Sequence, residues 1–456
     1  MIDPIKFLIG PIKFLIGPIK FLIGPIKFLI GPIKFLIDLF SKRSRAGAAA
    51  LRAPNPRHLL KRWTKTYSVA LRALQTLKKR GITMQTFKIS TEVCFGGDAL
   101  EALGRIRAEN AVIFTDGFMA KSGGADRVAA YMKQCKTIHV FSKTQPDPPV
   151  EMVAEALRFL LDVQVDAVVA LGGGSAIDAA KATVLIARQQ TGREIPLIAV
   201  PTTSGTGSEV TSFAVITDRE KGVKYPLVSD SLLPEVAILS AELVKSVPPA
   251  ITADTGFDVI THALEAYIST GANDYSDALA EKSLELAFAY LPRAYRDGGD
   301  MEAREKMHTA SCLAGMAFNA VSLGVNHGIA HTIGANFHIP HGRANAMVLA
   351  EVMAFNAGIE DGKIGLATEK LANIARRIGL DVFSAKGGAA SLVRKIRTMQ
   401  RELGIPATLT ACGVTEEAYK KALPHMIESA KNDACTATNP RPVTDEDIKR
   451  ILSRVK

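Results

Sequence analysis

The chain has 456 residues, 47% of them hydrophobic and 22% charged, so it can bury a large core, and its length fits two or three domains. Its formal charge of +11 suggests nucleic acid as a partner, but the excess lies in residues 1–83, which hold 17 Lys and Arg against two acids, leaving a slightly acidic body without a basic footprint. Five scattered cysteines with no CxxC pair exclude a disulfide framework or zinc ribbon and fit buried thiols in a reducing compartment such as the cytoplasm.

The first element is a seven-residue unit built on Pro-Ile-Lys-Phe-Leu-Ile and repeated five times, with prolines at 4, 11, 18, 25 and 32. A period of seven suits a coiled coil, but a proline in every unit removes a backbone donor and clashes with the preceding turn. The lysine in each unit breaks the apolar run before the roughly 18 residues a membrane helix needs. A secretory signal also carries its charge ahead of a single apolar block, and here the charge runs throughout. From Ser41 to Arg80 the composition turns to Arg, Lys, Ala and Leu, and 59–77 reads as a basic amphipathic helix able to lie on an acidic surface. Two readings stand for 1–83: an address or docking tag for a membrane or protein shell, or upstream repeat DNA read as protein with Met84 as the start. We adopt the second, and on either reading the segment is expected outside the fold.

From Met84 to Val247 short apolar runs alternate with helical patterns. Ala111–Thr115, Thr137–Phe141, Asp166–Leu171 and Leu197–Val200 have strand length, and 126–134 and 150–161 between them have helical spacing. Strands apolar throughout and separated by helices predict a parallel, Rossmann-like sheet covered on both faces. The third strand runs into Gly172-Gly173-Gly174-Ser175, where glycine allows close approach of a ligand and a helix starting near Ser175 aims free N–H groups at it, as a pyrophosphate requires. The loop Pro201–Glu209, at the end of the next strand, adds hydroxyls and amides, and Asp116 at the end of the first can accept from a ribose hydroxyl pair, favouring NAD over NADP.

From Pro248 onward the pattern is helical almost to the end, with apolar residues at helical spacing over 277–291, 302–319, 344–356, 364–378 and 389–403. The expected organisation is therefore an α/β dinucleotide-binding domain over 84–247 and an all-α metal-binding domain over 248–456, with catalysis in the cleft between them. Asp258 and His262 stand i, i+4 on one helix face, so a carboxylate oxygen and an imidazole nitrogen can reach one point, which is half a metal site. Five of the nine histidines are His262 or fall in 327–341, and up to three further imidazoles, His327, His331 and His341, converge there if the chain folds back. One carboxylate with imidazoles makes a borderline N/O donor set that accepts Fe²⁺ and Zn²⁺ alike. The bland reading of an isolated histidine on an apolar face is a satisfied core residue, and it is applied to His139, His308 and His425. Lys181 is read as solvated.

Read together, GGGSAIDAAK (172–181), PTTSGTGSEVT (201–211), TGFDVITHALEAY (255–267), GMAFNAVSLGVNHGIAH (315–331), PHGRANAM (340–347) and TNPRP (438–442) resemble, in order, the iron-containing (group III) alcohol dehydrogenases. The resemblance runs from Met84 to Lys456. It implies metal ligation by Asp258, His262, His327 and His341, with iron as the expected ion. It implies a proton-transfer or cofactor role for His331, and substrate-side positions for Phe213 and Phe318, which otherwise read as packing residues bordering the pocket. NAD(H) contacts match Asp116, Gly173, Gly174, Ser175, Asp178, Thr202, Thr203, Ser204, Thr206 and Lys224, while His338 has no place in the ligand pattern. Gln145–Pro148, KGVKYPLVSD (221–230) and VPPAITADTG (247–256) are similar to the branch that reduces propanal in bacterial propanediol-utilising microcompartments. That similarity implies a short-chain aldehyde substrate, a homo-oligomer, a possible shell-protein partner and no nucleic acid. Alternatives kept open are an ethanol, butanol or polyol dehydrogenase, and a non-enzymatic role in which the basic tail binds a shell or membrane.

Overall fold

The computed structural model describes residues 86–220 and 223–456, so the repeat unit and the basic helix expected over 59–77 lie outside the described residues. Six parallel strands form one sheet: β1 (Glu92–Phe95), β2 (Ala108–Asp116), β3 (Cys135–Thr144), β4 (Ala167–Gly172), β5 (Leu197–Pro201) and β8 (Val236–Leu239), in the order β1-β8-β5-β4-β2-β3. Side chains alternate across it and both faces are covered. Val112, Phe114, Val168 and Ala170 pack under helices α2 (Val150–Asp162) and α3 (Gly174–Thr191). Ala111, Ile113, Val169 and Leu171 pack on the other face with Leu100, Leu103 and Val128, the last from α1 (Gly124–Tyr131). Burial on both faces explains why the inner strands β4 and β5 are apolar in every position, while the edge strand β3 carries polar and half-exposed residues.

The strand order reverses at β2, which has β3 on one side and β4 on the other. Asp116 closes β2 and the glycine run closes β4, so both predicted nucleotide signals meet at the switch point, where open parallel sheets place their ligands. A separate antiparallel hairpin, β6 (Phe213–Asp218) with β7 (Val223–Val228), leaves the sheet and carries Phe213 and Lys224.

The C-terminal part is helical, as expected. Helix α4 (Pro249–Ile268) is its axis and is buried almost all round, from Phe257, Val259 and Ile260 to Glu265 and Tyr267. It is followed by α5 (Asp274–Arg296), α6 (Met301–Val321), α7 (Val325–Phe337), α8 (His341–Asn356), α9 (Leu366–Arg377), α10 (Ala385–Glu402), α11 (Glu416–Asn432) and α12 (Asp445–Arg454). Local chemistry sets the ends: Asn273 and Ser276 form a capping box at the start of α5, and Asp300 caps α6 through the Ala303 amide. Pro249 opens α4, where its missing N–H costs nothing. Among the described residues no helix is long and apolar enough to cross a membrane.

Two histidine expectations are corrected. His139 is only half-buried, because β3 is an edge strand, and His425 is exposed on α11, where it meets the Ser429 hydroxyl at 3.3 Å. Neither belongs to the core.

Candidate active site

Helix geometry brings Asp258 and His262 to one face of α4, while α7 presents His327 and the first residue of α8 is His341. One ligand atom from each of Asp258, His262, His327 and His341 lies within 4.8 Å of every other. Asp258 Oδ1 stands 3.4 Å from His341 Nε2 and 3.9 Å from His262 Nε2. Atoms each about 2.1 Å from a tetrahedral ion lie roughly 3.4 Å apart, so this spacing suits a divalent cation. The Asn345 side-chain nitrogen projects into the same centre, 2.8 Å from Asp258 Oδ1, 3.0 Å from His327 Nε2 and 3.1 Å from His341 Nε2. An amide offers two hydrogens and here faces three acceptors, so the centre carries a surplus of lone pairs that a cation satisfies.

Burial keeps these imidazoles neutral. It depresses His262, with the Asp258 charge opposing, and drives His327 well below the usual histidine range. His341 is depressed to about 4, because protein surrounds the ring even though 38% of its side chain faces the cleft. Neutral rings are the form that binds metal. Glu265, one turn beyond His262, meets His327 Nδ1 at 2.6 Å. Burial pushes Glu265 up to about 8, against the pull of the Asn326, His327 and Gly324 amides.

On the sheet side, the loops after β4 and β5 interlock. A Cβ built on Gly174 would lie 2.7 Å from the Thr206 methyl, so a side chain there would force a shift, and one on Gly173 would press at 3.2 Å on the Thr203 hydroxyl. Ser175 stands in the first turn of α3, and Thr202 is bound through its amide to the Gly172 carbonyl. Asp116 caps the short helix that follows it, receiving the Phe118 and Met119 amides on Oδ1, which leaves Oδ2 toward Gly172 for a ligand. Asp178 commits both oxygens to the chain itself, to Ser208 Oγ at 2.6 Å and the Val215 amide at 2.9 Å. Lys224 reaches Asp147 at 2.5 Å, tying the hairpin to the loop after β3.

The expectation of a solvated Lys181 is overturned. Its side chain points inward, is 1% exposed, and Nζ donates to the Thr211 and Phe213 carbonyls at 2.8 and 2.9 Å. His308 is also more than a core residue. Its Nδ1 lies 2.9 Å from Ser204 Oγ, so α6 reaches across to hold the loop after β5.

Phe318 stacks on His262 with centroids 4.6 Å apart, and Phe213 stands 6.4 Å from Phe318. His331 stacks on His341 at 5.4 Å, and its Nδ1 meets Asp433 Oδ2 at 2.9 Å. Desolvation works against its protonation, but the Asp433 charge and hydrogen bond prevail and raise His331 above the usual value. His331, Asp433 and Cys435 form a second compact group beside the first. His338 only ends α7, in a left-handed conformation at φ 55°. Sequence reasoning missed Glu265, Asn345 and Asp433. The first two were legible, since Glu265 continues the Asp258, His262 stripe at i+7 and Asn345 follows His341 at i+4.

A switch-point sheet with a glycine loop, facing a helical half whose histidines converge on a carboxylate, defines the class of two-part nucleotide-sheet oxidoreductases. The sequence pattern of the iron-containing alcohol dehydrogenases matches residues 90–241, and that of the C-terminal part of the Fe-containing alcohol dehydrogenase family matches 252–455. The chain is 43% identical over 375 residues to the 1-propanol dehydrogenase PduQ of Salmonella typhimurium, covering 82% of this chain and all of that one. The crystal structure of a 1,3-propanediol oxidoreductase superposes with a TM-score of 0.75 at 32% identity, over 82% of this chain and 100% of that one. A sulfoacetaldehyde reductase from Bifidobacterium kashiwanohense, solved in complex with NAD⁺, gives 0.71 at 30% identity, over 82% and 99%. The chain belongs to the iron-containing alcohol dehydrogenase family and is an enzyme, an oxidoreductase of alcohols.

Proposed function

We propose that the chain reduces a short-chain aldehyde, propanal to 1-propanol, with NADH, using a divalent ion held by Asp258, His262, His327 and His341. The observation that carries this reading is the convergence of one carboxylate and three neutral imidazoles within 4.8 Å. The 1-propanol dehydrogenase relative supports the substrate, and the NAD⁺-bound relative together with Asp116 Oδ2 at the switch point supports NAD(H). The donor set accepts Fe²⁺ or Zn²⁺, and family membership makes iron the proposed ion. When bound, the ion supplies Lewis-acid polarisation of a carbonyl and the nicotinamide supplies hydride.

The chain's own residues do the rest. Gly173, Gly174 and Ser175 at the start of α3, with Thr202, Thr203, Ser204 and Thr206, would cradle the pyrophosphate, and Lys224 would close over it. Asp178 contributes by holding Ser208 and β6 in place. Phe213 and Phe318 exclude water from one side of the centre and offer an apolar wall to a short alkyl chain. His331, anchored on Asp433 through Nδ1, leaves Nε2 to hold or pass a proton at the cleft. Microcompartment residence and a shell partner would depend on 1–83.

The test is anaerobic purification with metal analysis, followed by assays of C2 to C4 aldehydes with NADH and with NADPH. Parent protein containing about one divalent ion per chain should reduce propanal with NADH, and Asp258→Ala should lose both the ion and at least about 10²-fold in kcat/KM. Equal activity of D258A and parent would sink the proposal.

A further inference from the structure

We propose that Glu265, Asn326 and Asn345 form a buried brace that sets the positions of the ligand atoms before an ion arrives. The inference rests on the metal-centre reading above. The brace begins on α4, where the Glu265 carboxylate faces the N-terminus of α7. Oε1 accepts from the Asn326 amide at 2.7 Å, while Oε2 accepts from the His327 amide at 3.3 Å and lies 2.6 Å from the His327 ring at Nδ1. Its two oxygens accept from the first turn of α7, so one group caps the start of α7 and fixes the rotation of the ring it carries.

The amide orientations follow from a backbone carbonyl, which can only accept. Asn326 Nδ2 lies 3.2 Å from the Asn345 carbonyl oxygen, so that end of Asn326 is the donor. Its second contact, 3.0 Å to Asn345 Oδ1, makes that oxygen the acceptor and turns the Asn345 NH₂ toward the centre. There it donates to Asp258 Oδ1 at 2.8 Å. His327 Nε2, 3.0 Å from the same NH₂, must present a lone pair, which places the ring proton on Nδ1, toward Glu265.

The circuit leaves α4 at Asp258, passes through Asn345 on α8 and Asn326 on α7, and returns to α4 at Glu265. All three brace residues are no more than 1% exposed. The surroundings leave no slack: a Cβ on Gly324 would sit 2.6 Å from Glu265 Oε1. Partners of this kind fix ligand tautomer and orientation, and their loss typically lowers metal affinity about 10–100-fold.

The experiment loads the metal-free full chain with Co²⁺ and titrates it with a chelator while the d–d absorption of the bound ion is followed. Parent, E265Q, N345A and S283A are compared. Ser283 donates to the Ala310 carbonyl away from the centre, so S283A reports what general loosening does. E265Q and N345A are expected to give up cobalt about 10–100-fold more readily and with an altered spectrum, and S283A to stay within about threefold of the parent. Where E265Q does not fold, N345A decides alone. Retention within about threefold, tighter binding by N345A, or an equal loss in S283A overturns the brace. A parent that takes up no cobalt sinks the metal-centre reading and the brace together, and that result is separable because it appears in the parent.

Discussion

Lys181 and His308 have charge-bearing groups where burial works against charge. For Lys181, burial lowers the pKa to about 8 while Asp178 and Glu209 oppose the drop, and its ammonium serves two carbonyls on the segment leading into β6. Lys181→Met would leave those carbonyls without a donor, at about 1–3 kcal/mol each. We expect a matching loss in denaturant unfolding, with a raised KM for propanal because Phe213 loses its anchor. His308 is held neutral, depressed to about 4 chiefly by burial. The unfolded chain takes up a proton near 6.5, so this residue's contribution to stability is complete above that pH and is lost as pH falls from 6.5 through 4. His308→Gln should therefore gain on the parent across that window by up to about 3 kcal/mol, as read from paired unfolding curves in which the common histidines cancel. An unchanged difference between pH 7 and pH 4 counts against it. Lys181 could not be placed from sequence, because burying its ammonium depends on carbonyls 30 or more residues away.

Helices α4 and α8 approach closely because one residue lacks a side chain. A Cβ on Gly342 would lie 2.3 Å from the Asp254 carbonyl oxygen of α4, and Arg343 clasps the Asp254 carboxylate at 3.1 and 2.9 Å. Gly342→Ala must push the start of α8 away from α4, separating His341 from Asp258. The expected result is a thermal midpoint lower by several degrees, on the order of 2 kcal/mol, with reduced metal content. Normal metal content in G342A would contradict this account. Helices were the legible elements, since their apolar stripes are long, and β2, β3, β4 and β5 were legible as apolar runs. The remaining strands were not. β1 and β8 have four residues each, and Pro226 in β7 argues against a strand, tolerated here because a two-stranded hairpin has only edges. Asp258 and His262 were visible in their i, i+4 spacing and His327 and His341 in the clustering of histidines and the family resemblance, whereas the convergence of α4, α7 and α8 depends on packing that spacing does not record.

The sheet and helical parts are fastened to each other by a seam of close contacts. Ser204 meets His308, Asn319 Oδ1 receives both the amide and the hydroxyl of Ser212 at 2.8 and 2.9 Å, and Gly207, at φ 62°, lies so near Gly315 that a Cβ would be 2.7 Å from its Cα. Such a pinned seam resists wide hinge opening, and if Lys224 closes over the coenzyme as proposed, exchange depends on its pair with Asp147, in which 40% and 61% of the side chains are exposed. A solvated ion pair holds by less than about 1 kcal/mol and weakens as salt rises. Departure of NAD⁺ should therefore quicken a few-fold, about 2–5-fold, between low and high ionic strength in stopped-flow fluorescence, and Lys224→Met should abolish that response. Where release limits turnover, the enzyme's throughput becomes a property of the surrounding electrolyte as much as of the buried chemistry.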